Sequence, residues 1–333
     1  MTSMTDSTQL VDRFGRVINY IRISVTDRCD FRCVYCMDEE MQFIPRSQLL
    51  TYEEITRIAT AFAELGISKI RVTGGEPLTR HGIDSLFTQL GKLENVNDLT
   101  LTTNGSQLAR YSQKLKQAGV TRINISLDTL NPDRFKALSR TGKLQQTLDG
   151  IDVALSCGFN KLKLNAVIMR GSNDDEVNAL VDYAIAREMD ISFIEEMPLG
   201  EIAHDRALSF YSSDDVLAEL QRHKTLHAVP EKTGGPSRYH RVENTQTRVG
   251  LISPHSHNFC DDCNRVRLTS EGTLLLCLGQ EHSVDLRQIL RNGATDKELR
   301  QAIIDSMQIK PKGHDFNLKT QPIILRHMSA TGG

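Results

Sequence analysis

The sequence predicts an α/β fold: a partial parallel (βα)6-type barrel over residues 1–205, then an extension over residues 206–333 that carries a small antiparallel sheet. Three observations predict it. Short β-branched runs alternate with amphipathic stretches about six times through the first two-thirds of the chain, the pattern of parallel strands joined by helical crossovers. Polar, often Gly-containing sequences recur at the C-terminal end of nearly every predicted strand, where parallel barrels place their sites. After about residue 205 the texture changes to short runs separated by turn residues.

The predicted strands are Tyr20–Val25, Lys69–Thr73, Leu99–Thr103, Arg122–Leu127, Leu162–Met169 and Ile191–Glu196. Between them the helical patterns are Glu53–Leu65, Ile83–Leu90, Gln107–Ala118, Gln145–Ser156 and Asp175–Glu188, several ended by glycine at Gly66, Gly119 and Gly158. Strand ends carry Thr73-Gly74-Gly75-Glu76-Pro77, Thr102-Thr103-Asn104-Gly105, Ser126-Leu127-Asp128 and Glu195-Glu196-Met197-Pro198. In the extension, one helix over Asp214–Arg222 precedes short runs at Arg238–Val242, Arg248–Ile252, Arg265–Leu268 and Thr273–Leu276, read as one small meander. Two further helices follow near Leu286–Arg291 and Asp296–Met307.

Composition is that of an ordinary globular protein, 39% hydrophobic and 25% charged. A net charge of −2 excludes the global basic field that holds nucleic acid, so an anionic ligand must be met by local Arg and Lys. The first residues, Met1 to Arg16, lack the apolar stretch of a signal peptide, and no apolar run approaches membrane-spanning length. The expectation is a cytoplasmic protein with no membrane partner. Reduced thiols there read as metal ligands rather than disulfides, and the odd total of 7 cysteines agrees.

Six cysteines fall into two triplets: Cys29, Cys33 and Cys36 as C-x3-C-x2-C, and Cys260, Cys263 and Cys277 as C-x2-C-x13-C. Cys157 stands alone and reads as a buried small hydrophobe. A four-iron cluster held by three thiolates leaves one iron open for a small ligand. No fourth Cys or His adjoins the first triplet, which argues against a closed zinc site there. At the second triplet, spacing alone leaves zinc open, because His255, His257 or His282 would complete a Cys3His set. Gly74 and Gly75 allow close backbone approach to a ligand, and Glu76 would accept from an ammonium group.

The first triplet, followed one strand later by Gly74-Gly75-Glu76-Pro77, resembles the radical S-adenosylmethionine enzymes. With the second triplet and the Arg265-Val266-Arg267 insert, the whole chain resembles the GTP 3′,8-cyclase family of molybdenum cofactor biosynthesis. The resemblance implies two [4Fe-4S] clusters, one on each triplet, and S-adenosylmethionine cleaved to a 5′-deoxyadenosyl radical. That radical takes the C3′ hydrogen of GTP, and C3′ then bonds to C8 of the same molecule. It also implies a low-potential electron donor, a downstream cyclic pyranopterin monophosphate synthase, and a monomer or homodimer. Carried over by position, Tyr35, Gly75, Ser126 and Met197 match contacts to S-adenosylmethionine. Arg22, Arg71, Thr102, Lys163, Arg265, Val266 and Arg267 match contacts to GTP, Arg22 with a catalytic role, and the Gly332-Gly333 tail matches one that reaches toward the site. The residues agree: Arg binds phosphate through bidentate, charge-assisted bonds, and on a strand Arg265 and Arg267 share a face.

Overall fold

The computed structural model describes residues 9–231, 233–318 and 324–332. Its strands are β1 (Tyr20–Ser24), β2 (Lys69–Thr73), β3 (Asp98–Thr103), β4 (Arg122–Ser126), β5 (Leu162–Ile168), β6 (Asp190–Glu195), β7 (Leu226–Val229), β8 (Arg238–Val242), β9 (Arg248–Ile252), β10 (Arg265–Leu268), β11 (Thr273–Leu275) and β12 (Ser283–Asp285). The helices are α1 (Tyr52–Glu64), α2 (Ile83–Leu90), α3 (Leu108–Gln117), α4 (Pro132–Ser139), α5 (Leu144–Ser156), α6 (Val177–Ile185), α7 (Arg206–Ser209), α8 (Ser213–Gln221), α9 (Leu286–Arg291), α10 (Asp296–Ser306) and α11 (Met328–Thr331).

One mostly parallel sheet runs in the order β12-β11-β10-β1-β2-β3-β4-β5-β6-β9-β8-β7. Strands β1 to β6 are parallel neighbours in chain order, joined by helical crossovers. No pairing among the described residues joins β12 to β7, so the sheet is open. No helix among them is long and apolar enough to cross a membrane.

Period-2 alternation sorts the strands' residues into two faces. Ile21, Ile23, Ile70, Val72, Leu99, Leu101, Ile123, Ile125 and Leu164 form the outer face, with Ile55, Ile58 and Phe62 of α1, Phe87 of α2 and Ile151 of α5 in the same apolar core. Each such side chain contributes about 1.5–3 kcal/mol relative to exposure. The inner face is polar. A capping box at Thr51 and Glu54 fixes the start of α1, and Gly66, Gly119 and Gly158 take positive φ just past their helices, as predicted.

The extension departs from the expected meander. Its strands pair antiparallel but in two groups on opposite edges of the sheet: β7-β8-β9 beyond β6, and β10-β11-β12 beyond β1. Alternating runs identify strands but not their partners, and the two edges of an open parallel sheet are the exposed N–H and C=O rows that need covering. Cys157 also differs from expectation. It is half-buried at the C-cap of α5, packed against the edge of the core rather than inside it.

Candidate active site

The inner face of the sheet carries a ladder of cations. Tyr20 pairs with Lys69 on one side and Arg265 on the other, and two residues on, Arg22 pairs with Arg71 and Arg267. Thr102 aligns with Asn124, Asn124 with Lys163, and Ser126 with Asn165. The cysteines of both triplets and the positions carried over as S-adenosylmethionine or GTP contacts line one cavity above this face, whereas Glu76 does not. Val266 differs from the rest, because its parity sends its side chain into the outer apolar core.

The two triplets lie at opposite ends of the β1–β10 pair. Cys29, Cys33 and Cys36 follow the C-terminal end of β1. Cys260 and Cys263 precede β10, whose first residue aligns with the start of β1, and Cys277 follows the antiparallel β11 back to the same end. Four strand steps, roughly 13 Å, plus the loops separate them. Tyr35, Gly75, Ser126 and Met197 all sit at C-terminal strand ends with the first triplet, whereas Arg22, Arg71, Lys163, Arg265 and Arg267 lie within the strands toward the second.

The first cysteine loop is held from two sides. The Gly75 amide donates to the Thr26 carbonyl at 2.7 Å and the Glu76 amide to the Arg28 carbonyl at 2.8 Å. A Cβ on Gly75 would stand 2.6 Å from the Asp27 carbonyl oxygen, so this glycine is required by close packing of two loops. From the other side, the Arg32 and Val34 amides donate to carbonyls of Ser139 and Leu138 at the end of α4. Glu76 is fully buried and accepts from Leu78 N, Thr103 Oγ1 and Asn104 N at 2.9, 2.8 and 2.7 Å. The expectation that it meets a ligand ammonium therefore gives way to a loop clamp. Tyr35 donates its hydroxyl to Asp128 at 2.7 Å, and Asp128 also accepts from Val167 N at 2.9 Å. Burial pushes Asp128 up to about 6, against those two bonds.

The donor sets fit iron–sulfur clusters. Burial first, then the charge of Glu76 at Cys29 and of Cys36 at Cys33, pushes both thiols up, and burial pushes Cys36 up to about 12. Thiols so placed bind as thiolates only with metal to compensate them. Backbone amides of Phe31, Ser329, His314 and Gly279 serve Cys29, Cys36, Cys260 and Cys277, the N–H bonds to sulfur that such clusters use. Among the described residues, no three His, Cys, Asp or Glu side chains converge as the ligands of a single ion do. At the second triplet, His255 Nε2 bonds the Glu196 carbonyl at 2.9 Å and His257 Nε2 bonds Asp214 at 2.8 Å, so both histidines are engaged away from a Cys3His zinc set.

Between the triplets, Arg71 donates to Thr102 Oγ1 at 3.2 Å, and Lys163 Nζ lies 3.1 Å from Ser192 Oγ and 3.4 Å from the Tyr239 hydroxyl. Lys69 pairs with Asp98 at 2.8 Å. Burial pulls Arg22 down to about 10, and burial with the charges of Arg22 and Arg265 pulls Arg267 well down. Burial raises the Tyr20 phenol, but Arg71, Arg22, Lys69 and Arg265 together bring it down to about 7. So dense a set of buried cations is costly when empty and suits a ligand with several negative charges. The Arg267 Nη1 also donates to the Gly332 carbonyl, and Met328 lines the cavity, so the end of the chain reaches the site. Gly333 lies outside the described residues.

The radical SAM superfamily model matches residues 23–184, and the molybdenum cofactor synthesis C model matches residues 189–316. The chain is 58% identical to a GTP 3′,8-cyclase of Pseudomonas entomophila, over 97% of this chain and 98% of that one. It is 55% identical to a GTP 3′,8-cyclase of Marinobacter nauticus, over 98% of this chain and 99% of that one. The chain belongs to the GTP 3′,8-cyclase family. Streptococcus suis SuiB, solved bound to S-adenosylmethionine, covers 96% of this chain and 79% of its own length at TM-score 0.62 and 15% identity, a likeness of fold.

Beyond the family positions read from sequence, the cavity also presents Tyr20, Lys69, Asn104 and Asp128. Tyr20 and Lys69 share strand parity with Arg22 and Arg71, a signal the alternation already contained. Asn104 Nδ2 lies 3.8 Å from Cys29 Sγ and donates to Asp30 at 2.7 Å. The sequence marks its strand end as polar and Gly-containing but not its contact with the first triplet.

Proposed function

We propose that this chain is a radical S-adenosylmethionine GTP 3′,8-cyclase, a lyase that converts GTP to (8S)-3′,8-cyclo-7,8-dihydroguanosine 5′-triphosphate in the first step of molybdenum cofactor biosynthesis. The observation that carries the reading is the placement of two thiol triplets at opposite ends of one strand pair, with buried cations between them. Cys29, Cys33 and Cys36 would hold a four-iron cluster, which would supply the one-electron reduction that cleaves bound S-adenosylmethionine.

Tyr35, Gly75, Ser126 and Met197 hold S-adenosylmethionine, with Asp128 fixing the Tyr35 ring through its hydroxyl. Arg71, Lys163 and the neighbouring Lys69 hold the triphosphate, and Thr102 orients Arg71. Cys260, Cys263 and Cys277 would hold the second cluster, which would take the guanine base, while Arg265 and Arg267 would flank the nucleotide and Val266 would contribute backbone. The ribose would then lie between the triplets, with C3′ toward the first. Hydrogen abstraction at C3′ is followed by C3′–C8 bond formation, and one electron and one proton complete the product. Arg22, midway along β1, holds the base or aids that protonation. The enzyme is read as cytoplasmic, a monomer or homodimer, fed by a low-potential electron donor and followed by cyclic pyranopterin monophosphate synthase. Residues 1–205 serve the cofactor and residues 206–333 the substrate cluster.

Anaerobic reconstitution tests the reading. It expects about eight irons per chain and GTP consumed only when S-adenosylmethionine and a reductant are both present. Intact GTP in the complete mixture overturns it.

A further inference from the structure

Lys310 is 1% exposed, immediately after the turn Met307–Ile309. Its Nζ donates to the Leu276 carbonyl at 2.5 Å and the Arg265 carbonyl at 3.1 Å, and lies 3.7 Å from Cys263 Sγ. An ammonium group has three N–H donors, and these three partners account for all of them. None is a carboxylate. Leu276 directly precedes Cys277, and Arg265 lies two residues after Cys263, so the charge is wedged between the segments that deliver two thiols of the second triplet.

The stretch of chain that carries it is pinned. Arg16 donates to the carbonyls of Cys260, Pro311 and Lys312 at 2.7, 2.7 and 2.6 Å. A Cβ on Gly313 would lie 3.3 Å from Cys260 Sγ, so the backbone following Lys310 runs directly over the third thiol. A buried ammonium without a countercharge is costly, and carbonyl dipoles compensate it only in part. Three thiolates around a four-iron core form an anion, and one added electron makes that anion more negative. The cost of burying Lys310 is therefore recovered when the cluster is bound, and more fully when it is reduced.

The geometry points to Lys310 as a fixed countercharge of the second cluster, a positioning residue that raises that cluster's reduction potential through the Cys263 sulfur. Hydrogen bonds to sulfur and net local charge are established determinants of such potentials. The inference rests on the reading that the second triplet holds a cluster. It adds a role for that cluster's surroundings: keeping its reduced form accessible while an open iron holds the substrate base.

The test is a redox titration of the reconstituted enzyme followed by electron paramagnetic resonance. The second cluster's signal is identified as the one that changes when GTP is added. In Lys310→Met the reduced-to-oxidised ratio of that cluster at a fixed potential is expected to fall at least tenfold, about 59 mV for one electron. Lys310→Arg is expected to stay near wild type, and the first cluster's midpoint to stay put in both. An unchanged midpoint in Lys310→Met at full iron content overturns the inference. Should Lys310→Met not hold the second cluster, Lys310→Gln, which keeps N–H donors without charge, takes its place in the comparison. Loss of the cluster in both uncharged variants with retention in Lys310→Arg supports the countercharge; loss in all three shows a packing role and overturns it. A wild-type enzyme with only about four irons, or one in which GTP alters no signal, refutes the second cluster itself, a separate failure.

Discussion

Arg22 on β1 and Arg267 on β10 occupy paired positions on neighbouring parallel strands, so two guanidinium groups share one buried face of the sheet. After burial itself, the charge of Arg22 is the largest influence pulling Arg267 down. Arg71 pairs with Arg22 from the other side, which places three arginines in a row across three strands. Such a row is unfavourable on its own and becomes favourable around a polyanion, which supports the proposal that this face takes the substrate.

Arg265→Ala and Arg267→Ala are each expected to weaken GTP binding by about 1–3 kcal/mol, the range for hydrogen bonds to charged groups. Anaerobic calorimetry on the reconstituted enzyme without S-adenosylmethionine isolates this step. The double variant should lose less than the two single losses combined, because removing one guanidinium relieves its repulsion on the other. Arg267 carries a second duty, since it also holds the Gly332 carbonyl. Its variant should therefore lose turnover beyond what saturating GTP restores, and Arg265→Ala should not. Unchanged affinity in both single variants would remove the pair from the binding site.

Tyr20 makes GTP affinity depend on pH. Its phenol, brought down to about 7 by Arg71, Arg22, Lys69 and Arg265 against the effect of burial, ionises within the working range and then neutralises part of the cation set. A bound triphosphate competes for the same cations and favours the neutral phenol. By linkage, affinity falls as pH rises through about 7. Between roughly pH 7 and 9, Tyr20→Phe should weaken less than the wild type; what dependence remains comes from Tyr239, whose phenol the Lys163 charge brings down to about 8 against burial. Parallel slopes in the two proteins would show that Tyr20 does not titrate beside the phosphates.

Much of this site is legible in the sequence because its signals are local. Strand parity places Arg265 and Arg267 together, the triplet spacings mark the thiol ligands, and glycine follows the helices where positive φ is needed. The remainder depends on partners far away in the chain. Short runs such as Arg265–Leu268 announce strands, but nothing in them says that β10 pairs with β1 while β9 pairs with β6. Helix α4, begun by an Asn131-Pro132 cap, is not among the predicted helices, although its end supports the cysteine loop. Lys310 looks like any solvated lysine until the fold closes over it. The packing duties of Gly75 and Glu76 are hidden for the same reason: their neighbours are the Thr26–Arg28 and Thr103–Asn104 segments, which only the folded chain brings near.

Gly75→Ala tests the contact between the two loops. The added Cβ would lie 2.6 Å from the Asp27 carbonyl oxygen, and the neighbour is backbone, which cannot swing aside. The loop of Cys29, Cys33 and Cys36 must move, while the second triplet, at the other end of β1, is untouched. Iron content is therefore expected to fall from about eight to about four per chain, with GTP binding retained. Full iron content in this variant would show that the first loop tolerates the displacement.

Glu76 contributes a pH-dependent stability of opposite sign to that of most surface carboxylates. Burial pushes it up to about 8, against the bonds it accepts from Asn104 N, Leu78 N and Thr103 Oγ1. Its folded pKa is raised above the unfolded value, so its contribution is fully present below the ordinary carboxyl value of 4.5 and is lost as pH rises through about 8. Glu76→Gln removes that titration. The stability of wild type relative to Glu76→Gln, measured by anaerobic urea unfolding at a series of pH values, should fall across this window by several kcal/mol and level off above it, because each tenfold change in proton affinity is worth about 1.4 kcal/mol. Taking the difference between the two proteins cancels every group they share, including Asp128, which titrates near 6. A flat difference would mean that the carboxyl stays ionised throughout, its desolvation fully offset by the three donors. The clamp on the Asn104 loop would then be an ordinary anion site rather than a strained one.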